Sequence, residues 1–114
     1  MIDWNLFSAY LGNLDKDQVS DIIGTFVESY PAQLGMLKAA VAGKNLARVG
    51  DIAHDLKANT ATFGATVASD LAFRLEMIGK SLEEDRMDEV FPAFEAAMEP
   101  VIRELKAYLV KQPA

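Results

Sequence analysis

Apolar residues recur every three or four positions through nearly all of this 114-residue chain, broken only at short stretches of Gly, Pro, Asn and Asp. That spacing is the period of an α-helix with one buried face. No stretch alternates Val, Ile or Thr with polar residues, and no Asn-Gly or Asp-Gly pair joins two such stretches. Strands and hairpins therefore have no signal. The chain has the length of one domain, expected over residues 1–114. Its 51% apolar and 25% charged residues place it among chains that bury a core.

The breakers divide the pattern into helices. A short first helix covers about Asp3 to Leu11 and stops at Gly12. Asp15, with Gln18 three residues on, has capping-box spacing. It opens a second helix through Val19, Ile22, Ile23, Phe26, Val27 and Tyr30. Pro31 kinks this helix or starts a new one. The pattern resumes at Leu34, Leu37, Ala40 and Val41 and stops at Gly43. Asn45 caps a third helix that runs to about Phe63 and ends at Gly64. A fourth covers about Thr66 to Leu82, with Val67, Leu71, Leu75 and Ile78 inward, and ends in a solvated Glu83-Glu84-Asp85 turn. Asp88 caps the last helix, which reaches about Val110, with Pro92 in its early turns and a kink at Pro100. Met36, Met77, Met87 and Met98 read as core filler. Four long amphipathic helices with short loops predict an all-α, antiparallel up-and-down four-helix bundle with a short N-terminal helix.

Composition removes many functions. With no cysteine there is no disulfide framework, thiolate metal site or thiol nucleophile. A single histidine excludes a multi-His metal site within one chain, and no metal site is expected. A net charge of −6 disfavours nucleic acid and anionic membranes as partners. No apolar run approaches a spanning length, and Met-Ile-Asp-Trp-Asn lacks a basic leader. A cytoplasmic protein is the expectation. Asp15, Asp17 and Asp21 do not open a calcium loop, because Ser20 and Phe26 stand where Gly and Glu are required. The scattered glycines form no phosphate-binding loop, so no nucleotide site is expected.

The informative residue is His54. On a wheel of 100° per residue, Val49, Ile52, Leu56 and Phe63 fall between about 160° and 220° from it. That cluster is the core stripe, so His54 points away from the core. Within about 60° of His54 lie Ala47, Gly50, Asp51, Lys57, Ala58, Ala61 and Ala65, five of the seven being Gly or Ala. A solvated face normally carries long polar side chains. This one is cleared around one imidazole, which would let the active site of another protein reach the ring. Gly50, Ala58, Ala61 and Ala65 are thus the candidate docking residues. Lys57, one turn on, would stabilise an anion held there. An imidazole titrates near 6.5, so a neutral nitrogen nucleophile exists at pH 7. Its N–P product stays reactive enough to pass a phosphoryl group onward.

Ala53-His54-Asp55-Leu56-Lys57-Ala58, then Phe63-Gly64-Ala65 and Leu75-Glu76, resembles the signature of histidine-containing phosphotransfer domains. The Phe26, Pro31, Leu34, Leu37 and Ala40 run is similar to that family's second helix, so the resemblance covers most of the chain. It implies a four-helix bundle in which His54 accepts the phosphoryl group and Lys57 assists it electrostatically. It also implies a small residue at 58 for close approach and Gly64 as the helix-ending glycine. The usual Gly at 58 is Ala58 here, and Asn59 and Thr60 replace smaller residues. The function implied is that of a carrier in a two-component phosphorelay, without a cofactor of its own. Its partners would be receiver domains of response regulators or hybrid histidine kinases, which would bring Mg²⁺ and the reactive aspartate. A monomer is expected. The alternatives are a kinase-linked acceptor of the chemotaxis type and a non-phosphorylated receiver-binding adaptor. Asp51 and Gln33 are the candidates to orient the ring, and part of the first helix is a candidate to help dock the partner.

Overall fold

Three of the helices start at a side chain that accepts from their free N–H groups. The computed structural model describes residues 1–81 and 86–111, and its regular secondary structure is helical throughout. The Asp3 carboxylate accepts from the N–H groups of Asn5 and Leu6 and caps α1 (Trp4–Leu11). Asp15 and Gln18 form a reciprocal capping box at the start of α2 (Lys16–Ala42). Asn45 accepts from the Arg48 N–H and opens α3 (Leu46–Thr62).

α4 (Thr66–Ser81) and α5 (Met87–Lys111) complete the fold. α5 starts one residue before Asp88, which lies in its first turn rather than at its cap. The expected turn at Glu83-Glu84-Asp85, and the end of α4 at Leu82, lie outside the described residues.

α2 does not stop at Pro31. It continues for 27 residues with the proline on its exposed side. Proline removes one N–H from the helical ladder, and buried residues on both sides, Phe26 and Tyr30 before and Leu37 and Ala40 after, hold the two halves in one helix. At 1.5 Å per residue α2 is about 40 Å long, and it runs most of the 44 Å long axis of the molecule. α5 likewise passes through Pro92 and Pro100.

α2 packs against α3 and α5, and α4 packs against α3 and α5. Between them lie Ile23, Leu37, Leu56, Phe63, Leu75, Phe94, Met98 and Leu105, all sealed from solvent. Met87 and Met98 are core residues, but Met36 and Met77 are exposed, and so is Val67. The reason is the register of α4. Its inner face is Ala68, Ala72, Leu75, Glu76, Ile78 and Gly79. Small residues and one acid hold that side, so the larger apolar groups Val67, Phe73 and Met77 are turned outward.

α1 lies on the end of α3. The Asp3 N–H donates to the Gly64 carbonyl at 2.8 Å. Gly64 has φ +74°, and a Cβ there would sit 2.5 Å from the Asp3 carbonyl oxygen.

Candidate functional site

The site forms where α3 and α4 come closest. A Cβ on Gly79 would lie 2.6 Å from the Leu46 carbonyl oxygen and 2.7 Å from the Gly50 backbone. Only glycine permits that approach at position 79. Three residues earlier, the same contact brings Glu76 of α4 beside His54 of α3.

Glu76 is almost wholly enclosed, its side chain only 4% exposed, whereas that of His54 is 61% exposed. His54 Nδ1 lies 2.6 Å from Glu76 Oε2. Lys57 Nζ donates to the other oxygen, Oε1, at 2.7 Å. Lys80, one turn along α4, sits 3.4 Å from Oε2. The Lys57 ammonium holds the Glu76 carboxyl down to about 2, against the opposing effect of burial and with help from His54 and Lys80. Glu76 is therefore ionised at neutral pH and can only accept hydrogen bonds. Nδ1 must carry the ring hydrogen in the neutral imidazole, which leaves the lone pair on Nε2. Nε2 has no hydrogen-bond partner among the described residues. Lys57 is held a second time, over the Phe73 ring at 5.3 Å from its centroid.

The model of the Hpt domain family matches residues 21–109. That span includes α3, α4, nearly all of α5 and most of α2. The chain belongs to the Hpt domain family. Comparisons with curated proteins and with solved structures gave no match.

Within this Hpt domain the residues singled out from sequence divide into two groups. His54, Lys57, Ala58 and Ala61 share one side of α3, with Ala58 and Ala61 exposed and Lys57 half-buried. Gly50 and Ala65 do not belong with them. Ala65 is fully buried, because α3 ends at Thr62 and the helical wheel no longer applies beyond that point. Gly50 is buried beneath α4 and forms part of the floor beside His54. Its small size serves the crossing of two helices rather than an open docking face.

Neither Asp51 nor Gln33 is bonded to the ring among the described residues. Asp51 is exposed on α3, and the Gln33 Oε1 is buried without a hydrogen-bond partner. The residue that orients His54 is Glu76. It stands in the same motif as Leu75, and nothing local to α4 in the sequence marks it as facing inward. α1 contacts α3 from the Gly64 end. The described helices include none long and apolar enough to cross a membrane.

Proposed function

We propose that this Hpt domain carries a phosphoryl group on Nε2 of His54, taking it from the aspartyl phosphate of one receiver domain and giving it to another. The single observation behind this reading is the pairing of an exposed imidazole with a buried, ionised carboxylate at 2.6 Å on Nδ1. Glu76 fixes the tautomer, so the nucleophilic lone pair is on Nε2, the nitrogen without a hydrogen-bond partner among the described residues. This is how a histidine is prepared without a neighbouring general base.

The step balances. The Nε2 lone pair attacks phosphorus, the acyl phosphate P–O bond breaks, and the receiver keeps a carboxylate. The ring gains a positive charge while Nδ1 retains its hydrogen, and Glu76 stands against that charge. Lys57 lies one helical turn from the ring and offsets the charge of the phosphoryl oxygens. The reverse sequence hands the group to the next receiver. Mg²⁺ and the reactive aspartate belong to the receiver in this reading. The domain itself supplies the nucleophile, its orientation and the cleared face at Ala58 and Ala61.

The neighbour relations of α2 to α5 support an antiparallel four-helix bundle, with residues 1–114 as one domain. A monomeric cytoplasmic carrier fits the reading. The test is incubation with labelled phospho-receivers, with His54→Gln alongside. Acid-labile, base-stable label on the wild type and none on a folded His54→Gln protein is the expected result. Label retained by the variant would defeat the proposal. Receiver binding without transfer would make the domain an adaptor, and labelling by a kinase alone would make it a kinase-linked acceptor.

A further inference from the structure

A second cation stands at the site that neither the motif nor the family match assigns. A groove of about 660 Å³ opens beside His54, and its lining includes Gly50, Asp51, Asp55, Glu76 and Lys80. Lys57 does not line it. Among the described lining residues Lys80 is the one Lys or Arg, facing three carboxylates. A phosphoryl group on Nε2 would add two negative charges to a ring that lines this groove, so a counter-charge is needed there.

Lys80 is placed to supply it. Its ammonium and His54 Nδ1 share one oxygen, Glu76 Oε2, at 3.4 and 2.6 Å, so those two lengths laid end to end are the furthest apart the two nitrogens can be. The two lysines are not held alike. Lys57 is bonded at 2.7 Å, stacked on Phe73, and 30% exposed. Lys80 has the single longer contact and is 65% exposed. It is the cation freer to leave Glu76. An ordinary surface pair at i and i+4 would bind its carboxylate on the solvent side. This carboxylate is buried and already bears Lys57 on its other oxygen.

Resting on the carrier reading of His54, we propose that Lys80 is a second phosphoryl-binding residue, which moves from Glu76 to the phosphoryl oxygens when Nε2 is phosphorylated. Lys57 keeps its bond to Glu76 and acts on the phosphoryl charge from there, at longer range.

The test loads His54 chemically, so that it does not depend on any receiver. Potassium phosphoramidate transfers its phosphoryl group to an imidazole nitrogen, the P–N bond to ammonia breaking as the new N–P bond forms. The phosphorus NMR resonance of the phosphohistidine is then titrated with pH in the wild type, Lys80→Gln and Lys80→Arg. A nearby cation favours the dianion, so removing it raises the pH of the phosphoryl titration. Lys80→Gln is expected to titrate about half a pH unit higher, and Lys80→Arg to follow the wild type. The phosphohistidine of Lys80→Gln is also expected to decay faster by a factor of about two or more. If Lys80→Gln titrates and decays as the wild type does, the inference is overturned, whatever the receivers do. If the chemical experiment succeeds and receiver transfer fails, the role of Lys80 holds and the phosphorelay reading falls.

Discussion

A carboxylate shut away from water is costly unless its charge is met. Glu76 meets three donors, and this makes it a determinant of stability as well as of chemistry. Its carboxyl is held at about 2 in the fold, against 4.5 when unconstrained. A depressed folded value means that the unfolded chain binds the proton more readily. The stabilisation is therefore complete above about pH 4.5 and is lost as pH falls toward 2. Urea midpoints are expected to fall steeply over that window in the wild type. Glu76→Gln should show a much shallower fall there, and at pH 7 it should cost about 1.5–3 kcal/mol, the range for hydrogen bonds to charged groups. Equal acid sensitivity in both proteins would show that other carboxylates govern the transition. His54 and Lys57 were legible in the sequence because one helical wheel and one motif place both. The role of Glu76 was not, since a lone glutamate on a helix ordinarily faces water. Only the register of α4 against α3 turns it inward.

At the scale of elements, glycines decide how near the two site-bearing helices lie. Replacing Gly79 by Ala adds helix propensity of about 1 kcal/mol. It also sets a methyl group 2.6–2.7 Å from three backbone atoms of α3, none of which can move alone. Overpacking of this kind costs about 1–3 kcal/mol, so the net effect is expected to be destabilising. The Glu76–His54 contact should lengthen with the helix separation. Gly50→Ala is the counterpart. Its Cβ would have 3.6 Å to its nearest neighbours, an ordinary contact, so propensity should prevail and stability rise by up to about 1 kcal/mol. Thermal and urea unfolding of the two variants checks the opposite signs. The starts of α2 and α3 were readable from sequence, because Asp15 and Asn45 cap through their own local chain, whereas the cap expected at Asp88 falls inside the first turn of α5. The inward faces of α4 were less so. Large apolar residues attract the eye, yet Ala68, Ala72 and Gly79 are the ones that permit close packing. The same reason explains why Val67 and Met77 are outside.

Across the whole molecule, α1 ties the end of α3 to the end of α5. Its Trp4 stacks on Tyr108 with ring centroids 6.0 Å apart and meets Phe7 at 4.8 Å. The Ile2 N–H donates to Glu104 at 3.2 Å. The other end of the tie is Gly64, where a left-handed φ and the Asp3 contact coincide. Position 64 was readable as a helix stop, but nothing local in the sequence shows that another helix rests on it, since Asp3 is 61 residues away. Gly64→Ala faces two costs together, a φ that L-residues avoid and a methyl group driven into the Asp3 carbonyl oxygen. We expect a loss of about 2–4 kcal/mol. The loss should begin with α1, because the helices bearing His54 and Glu76 pack against other partners besides it. Trp4 is the chain's single tryptophan, so its fluorescence reports α1 alone. The expected result is a red-shifted emission at temperatures where helical circular dichroism is still largely intact. Coincident loss of both signals would instead mean that α1 is an inseparable part of the cooperative core.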